Sequence, residues 1–366
     1  MTTRGLYIHI PFCKSKCIYC DFYSVPSLQR RRQVIDGLVQ EWNLRKGELC
    51  GLPETVYIGG GTPSVLDPDQ IERLLCAIPL DAAREVTFEA NPDDVTPSLI
   101  ETLRACGVNR LSLGVQSLDD TLLKWMRRRH DAATAIYAIE TARRGGISNI
   151  SADLIYGLPG MTIEQWAQSV DGLISTGITH LSAYCLTYAE GTPLMRSLDR
   201  GEIHPADDDD IQAQFLTLRR IAAQAGMTHY EISNFALPGY QSQHNSSYWR
   251  SDSRWLGIGP GAHSFDSRLR RVNPSDISLW SALGGAPPEA EDETSLDLLN
   301  DFLVAALRTS QGIDIHTVPE RYRHTILSTM QKHINSGDMT FDGRFLAIRP
   351  DKWLISNIFM RDIILE

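Results

Sequence analysis

No apolar run of roughly 18 residues, the length needed to cross a bilayer, occurs in the 366-residue chain, so a helical membrane span is not expected. A charged-then-apolar leader with a cleavage site is also missing. MTTRGLYIHIPF passes straight into a strand-like run, which predicts a cytoplasmic protein, peripheral to a membrane at most. Positive charge is in deficit. With 35 Lys+Arg against 45 Asp+Glu, a net charge of -10 and a pI of about 5.5, the chain has no footprint for non-specific nucleic-acid binding. Cysteine is sparse: there are seven, an odd number, and Cys50, Cys76, Cys106 and Cys185 are scattered singly. A disulfide framework is therefore not expected, in keeping with a reducing compartment. What remains is 42% hydrophobic and 22% charged, enough for a large core and for two domains.

The other three cysteines, Cys13, Cys17 and Cys20, crowd into IPFCKSKCIYCDF, and Asp21 stands where a fourth ligand is expected. Three thiolates at C-x3-C-x2-C can hold three irons of a cubane [4Fe–4S] cluster from one short loop, leaving the fourth iron for a small molecule. Structural zinc competes, but it wants four protein ligands and would have to recruit Asp21, His9 or a distant cysteine. A metal-free cluster of buried thiols fits poorly beside Lys14, Ser15 and Lys16. The spacing favours the open-cornered cluster.

Short β-branched runs alternate with amphipathic helical stretches along most of the chain. Strands are predicted at 6–10, 55–59, 85–90, 110–115, 150–156 and 180–187, and helices between them at 67–78, 96–106, 134–144 and 162–174. Even β-then-α spacing implies parallel strands with right-handed crossovers. The unusual residues recur just past the strands, as on the functional face of an α/β barrel, so a partial (β/α)6-type barrel over 1–236 is expected. An open doubly wound sheet is the alternative. Gly59-Gly-Gly-Thr-Pro-Ser64 does not supply a dinucleotide fingerprint, because Ser64 stands where the third glycine belongs. A helix at 208–225 and a strand at 229–236 complete this region. Residues 237–285 look loop-rich and 284–293 reads as an exposed linker. Residues 294–366 predict a small winged-helix-like α+β module, with helices at 295–308 and 317–335 and a hairpin at 339–349 turning on Asp342-Gly343. Its 8 Lys+Arg against 9 Asp+Glu argue against DNA reading.

CKSKCIYC preceded by YIHIPF resembles the radical S-adenosylmethionine (SAM) superfamily. In that superfamily the methionine end of SAM chelates the unique iron, and a reduced cluster can release a 5′-deoxyadenosyl radical; the cofactor carries the chemistry. GGGTPS, FEANP, RLSLGVQS, DLIYGLPG, HLSAYCLT, HNSSYW and GIGPGAHSF, in that order, narrow the likeness to the coproporphyrinogen III oxidase-like (HemN/HemW) family across nearly the whole chain.

The resemblance implies that Tyr7 flanks SAM and that Gly60, Gly61 and Thr62 meet its methionine end. Glycines let backbone groups approach a ligand closely; an ordinary tight strand–helix turn is the alternative, but three glycines followed by Thr-Pro exceed what a turn needs. Glu89, Gln116, Arg128 and Asp153 match SAM-contacting positions of the family, while Thr187 and Ala262 match the adenine side. Arg127 and Arg129 flank Arg128, so that match is open by one residue. An unpaired carboxylate at Asp153 would be costly inside ISADLIY. His244, Asn245, Tyr248 and Trp249 form the HNxxYW motif that the family's haem-carrying members share. An imidazole can ligate iron and flat aromatics can face a porphyrin, against the bland alternative of aromatics docking on the barrel.

Within the family, oxidases carry a further cysteine two residues after the third cluster thiol and a longer N-terminal extension. Here Phe22 occupies that position, and the first motif begins at Leu6. The resemblance therefore implies a carrier that binds SAM and a [4Fe–4S] cluster and passes haem to haem-requiring proteins, membrane respiratory enzymes among them. No catalytic residue is assigned. The alternative is an oxygen-independent coproporphyrinogen III oxidase. The implied partners are haem, its acceptors, a reductant wherever SAM is cleaved, and a second copy in a homodimer, but no nucleic acid.

Overall fold

Alternation of aliphatic and polar residues builds the central sheet in this computed structural model, which describes residues 3–250, 252–292 and 294–366. Met1 and Thr2, at the start of the predicted barrel segment, and Glu293, the end of the predicted linker, lie outside the described residues. Strands β1 (Arg4–Ile10), β2 (Thr55–Gly60), β3 (Glu85–Ala90), β4 (Arg110–Gln116), β5 (Asn149–Tyr156) and β6 (His180–Cys185) lie side by side in sequence order. All five pairings are parallel. Such sequential winding fits the barrel, not the doubly wound alternative, in which strand order reverses. Helices α1 (Arg31–Arg45), α2 (Pro68–Cys76), α3 (Pro97–Ala105), α4 (Asp120–Trp125), α5 (Ala132–Arg144) and α6 (Ile163–Ser175) fill the crossovers. Asp67 closes a capping box on α2 and Thr96 accepts the Leu99 N–H at the start of α3.

Leu6, Ile8 and Ile10, then Val56 and Ile58, Val86 and Phe88, and Leu111 and Leu113 are buried in the core. The intervening positions carry polar groups. The register aligns Tyr7 with Tyr57, Tyr57 with Thr87 and Thr87 with Arg110 on the opposite face, the barrel interior. A lumen lined by Tyr, Glu, Arg, Asp and His is costly to build as packed core and suits a polar ligand.

After α7 (Pro193–Asp199) and α8 (Asp208–Gln224), the predicted strand 229–236 is instead two antiparallel strands, β7 (Thr228–Glu231) and β8 (Asn234–Ala236). The run breaks where the Ile232 N–H donates to the Arg308 carbonyl and the Ser233 N–H to the Glu231 carboxylate. The loop-rich reading of 237–285 also needs correction. The segment holds α9 (Gln243–Ser247), β9 (Arg254–Ile258), β10 (His263–Phe265), β11 (Leu269–Val272) and α10 (Ile277–Ala282), and β9 runs parallel beside β1. Gly257 hides this pattern in composition while allowing it in space: a Cβ there would lie 2.2 Å from the His263 carbonyl oxygen. The predicted linker 284–293 contributes β12 (Ala290–Asp292), paired with β11, so the sheet counts twelve strands among the described residues.

The C-terminal domain comprises α11 (Ser295–Ala306), β13 (Ile313–Asp314), α12 (Glu320–Asn335), β14 (Met339–Phe341), β15 (Phe345–Ile348) and α13 (Ser356–Asp362). Its three strands pair in the order β13-β15-β14. The predicted turn is present: Asp342 accepts the Arg344 and Phe345 N–H groups, and Gly343 takes a φ of 96°.

Candidate functional site

The cysteine loop leaves β1 at the C-terminal strand ends. The Cys13 N–H is fixed to the Val25 carbonyl at 3.1 Å and the Cys20 N–H to the Cys17 carbonyl at 3.3 Å. Two donors already point at sulfur: Thr62 Oγ1 lies 3.2 Å from Cys13 Sγ, and Arg128 Nη1 lies 3.3 Å from Cys17 Sγ. Burial pushes the Cys20 thiol up, with Cys17 and Cys13 among the further causes. Among the described residues no three His, Cys, Asp or Glu side chains converge on a single-ion site. One sulfur per iron, round a loop, suits a cluster. The zinc alternative finds no ready fourth ligand: His9 uses both ring nitrogens, on Tyr7 Oη at 3.1 Å and the Tyr23 carbonyl at 3.0 Å, and Asp21 is exposed.

Of the predicted SAM residues, Thr62 and Arg128 touch this loop, and Gly61 lies against Phe12, which leads into it. Gly60 has a φ of 111°, and a Cβ at Gly61 would lie 2.5 Å from the Phe12 carbonyl oxygen, so the GGGTP turn must be bare to nest against the cysteine loop. Glu89 accepts the Tyr57 hydroxyl at 2.6 Å and the Gly60 N–H at 3.2 Å. Burial pushes its carboxyl up to about 7, and nearby Asp153 adds to the rise against the Tyr57 hydrogen bond. Burial likewise takes Asp153 up to about 6, offset by the Ser182 hydroxyl and the Arg110 guanidinium. Gln116 sits at a φ of 69° at the end of β4. The neighbouring arginines differ in their partners: Arg128 donates to Asn91 Oδ1 (2.7 Å) and the Gly114 carbonyl (2.5 Å), whereas Arg129 pairs with Asp93 and Asp94. Thr187 is exposed past β6, and Ala262 is buried past β9, bonded through its backbone to Gly259 and Asn273.

The HNxxYW motif is not brought to this face. It lies on α9 at the N-terminal strand ends, where Glu85 of β3 accepts the N–H groups of Gln243 (2.8 Å) and His244 (2.9 Å). His244 turns inward and is fully buried. Its Nδ1 is 2.9 Å from Thr55 Oγ1, its Nε2 is 2.7 Å from Tyr248 Oη, and its ring stacks on Tyr57 at 5.3 Å. Burial, assisted by Arg110, holds its pKa down at about 3. Neither ring nitrogen is free as the side chain stands. The Asn245 N–H donates to Ser242 Oγ at 3.3 Å, while Tyr248 packs edge-on against Trp255, and Trp249 faces the C-terminal domain beneath Arg308.

Sequence reasoning passed over Tyr57, Glu85, Asn91 and Arg110, which fix these groups. Arg110 is only 1% exposed, on the interior face of β4. The signal was available: a charge at an inward position of a strand asks for a partner, the same argument that singled out Asp153.

The fold and the cysteine loop define a radical SAM protein, and the Radical SAM superfamily profile matches residues 7–173. Heme chaperone HemW of Lactococcus lactis is 34% identical over 87% of this chain and 85% of its own length. The mouse mitochondrial radical S-adenosyl methionine domain-containing protein 1 is 34% identical over 85% of this chain and 74% of its own. The chain belongs to the HemW family. In architecture it is similar to coproporphyrinogen III oxidase (HemN) of Escherichia coli, with a TM-score of 0.84 at 21% identity, covering 99% of this chain and 90% of that one.

Proposed function

We propose that this protein is a haem carrier: it binds haem and hands it to haem-requiring proteins, while a [4Fe–4S] cluster with SAM occupies the C-terminal strand ends. The observation that carries the reading is kinship with heme chaperones over more than four fifths of the chain, combined with the residue after the cysteine loop. Phe22 stands where the oxidases have a further thiol, and its side chain is 64% exposed. Respiratory enzymes at the membrane surface and a second copy of this chain complete the proposed partners.

Cys13, Cys17 and Cys20 would hold three irons, with the Thr62 and Arg128 donors directed at two of the sulfurs. Gly60, Gly61 and Thr62 would admit the methionine end of SAM, and Glu89, Asp153, Tyr7, Gln116 and Arg128 would line its path, with Thr187 and Ala262 beyond. Glu89, with its carboxyl near 7, can accept from an ammonium or ribose hydroxyl while Tyr57 keeps it oriented. The bound pair would supply one-electron chemistry at a sulfonium; the protein's part is to hold, orient and shield it.

The test is anaerobic reconstitution of the cluster followed by haem titration and transfer to an apo-haem protein. Stoichiometric haem uptake with transfer is expected, without decarboxylated product from coproporphyrinogen III. Turnover of coproporphyrinogen III by cluster-loaded protein, or failure to take up haem, would overturn the reading.

A further inference from the structure

The turn that follows β3, from Asn91 to Asp94, carries none of the predicted site residues, yet its side chains reach the cysteine loop by two routes. Asn91 Oδ1 accepts from Arg128 Nη2 at 2.7 Å, and the same nitrogen donates to the Gly114 carbonyl at 2.5 Å. A guanidinium is a rigid planar fork, so two acceptors on Nη2 fix where Nη1 points. It points at Cys17 Sγ, 3.3 Å away. The Nε–H finds no acceptor among the described residues, which leaves a further donor for a group bound at the loop. Through its amide, Asn91 Nδ2 lies 3.5 Å from Thr62 Oγ1, the hydroxyl directed at Cys13 Sγ. The second route runs through Asp94, which accepts Lys14 Nζ, from inside the cysteine loop, at 2.7 Å and Ser64 Oγ at 3.0 Å. Ser64 Oγ in turn accepts the Asn91 N–H at 3.1 Å. The chain makes room for this arrangement. Gly114 is bare where a Cβ would lie 3.3 Å from Arg128 Nη2, and Arg127 takes a left-handed φ of 59° in the step before Arg128. Strain of that kind on a non-glycine residue persists where its surroundings require it.

We propose that Asn91 is a positioning residue for the iron–sulfur cluster: it holds the Arg128 and Thr62 donors on the cysteine sulfurs and thereby raises the cluster's reduction potential. The inference rests on the [4Fe–4S] part of the reading above and adds how this chain sets the ease with which that group takes an electron. Reduction adds one negative charge, and hydrogen bonds to sulfur are among the levers that set the potential. A permanently charged guanidinium and a hydroxyl aimed at sulfur stabilise the added charge. Both lose their aim when Asn91 is cut back, as an outer partner that orients an inner one would predict.

The full-length protein is reconstituted anaerobically without SAM, poised electrochemically and read by electron paramagnetic resonance of the reduced cluster. Arg128→Met removes the charged donor, and Asn91→Ala removes the side chain that aims it. Asn109→Ala is the structural control, since Asn109 Oδ1 accepts the Val86 N–H at 2.9 Å at the opposite strand ends. At the wild-type midpoint the ratio of reduced to oxidised cluster is expected to fall about 10-fold in Arg128→Met, a shift of about 59 mV for one electron, and about 3-fold in Asn91→Ala. Asn109→Ala should keep the wild-type ratio, and iron content should be unchanged in all three. A wild-type ratio in Asn91→Ala beside a shifted Arg128→Met would overturn the role of Asn91, and wild-type ratios in both would overturn tuning by the donors. Loss of iron from Asn91→Ala alone would also overturn it, because the residue would then retain the cluster rather than tune it. Wild-type protein that assembles no cluster would overturn the cluster reading itself, and haem titration of the same samples reports on the carrier reading separately.

Discussion

At the C-terminal ends of β1 to β3 the chain keeps its backbone bare. Gly60 and Gly61 press against the cysteine loop, and a raised carboxyl, a guanidinium and a hydroxyl point toward sulfur or into the lumen. At the N-terminal ends of the same strands, roughly 17 Å along a five-residue rise, the lumen is stoppered. Glu85 holds α9 across the mouth, and His244 spends both ring nitrogens on Thr55 and Tyr248. One end opens its polar groups toward the cysteine loop; the other is closed by His244 and Glu85. Tyr57 belongs to both, since its hydroxyl donates to Glu89 while its ring stacks on His244. The comparison teaches that the two ends of a barrel can be built to opposite purposes, one open and one sealed, when one strand face is polar along its whole length.

The most forceful way to break this division is to remove the cluster ligands. Serine at Cys13, Cys17 or Cys20 is expected to lower iron and sulfide content at least 10-fold after anaerobic reconstitution, because a cubane held at two corners is not retained. Haem affinity is expected to stay within about 2-fold. Parallel loss of haem affinity in soluble, folded variants would show that the two ends are not independent.

A smaller effect is expected from the stopper. His244→Ala deletes a buried ring and leaves the Thr55 hydroxyl and Tyr248 hydroxyl without their partner, a cost of about 3 kcal/mol in urea or thermal unfolding. Iron content in the folded fraction should match wild type. A stability change below about 1 kcal/mol would mean that His244 is not seated as described.

The barrel was legible because period-2 alternation and even β/α spacing survive without any tertiary information, and β1 to β6 all begin and end within two residues of their predicted spans. β13 is only two residues long, below what periodicity can register, and α1 begins in an arginine-rich stretch with a weak apolar stripe. Glycine and proline concealed β9 to β12, since composition alone reads them as loop. Among site residues, the cysteine loop and GGGTP were readable because their chemistry lies in local spacing. The orientation of His244 was not. A five-residue helix has no amphipathic signature, and the group that fixes it, Glu85, is 159 positions away in sequence.

The finest distinction between the two ends is their response to acid. The lumen carboxyls Glu89 and Asp153 are raised in the fold, so below neutral pH they take up protons that the unfolded chain does not bind until lower pH, and acid favours the fold at that end. His244 does the opposite. Burial, with Arg110 adding, holds it near 3, so between about pH 6.5 and 3 the unfolded chain binds a proton at this position that the folded chain refuses. Its contribution to stability is therefore complete above pH 6.5 and declines as pH falls, by up to ~1.4 kcal/mol per pH unit from this one residue. His244→Gln keeps a polar side chain at the position but cannot charge. Urea unfolding of the two proteins at pH 7 and pH 5 should show a gap that narrows at the lower pH by about 1–2 kcal/mol, in favour of glutamine. A gap that stays constant, with both proteins folded, would mean that the ring of His244 is hydrated and free to titrate, and the closed mouth would have to be redrawn as an open one.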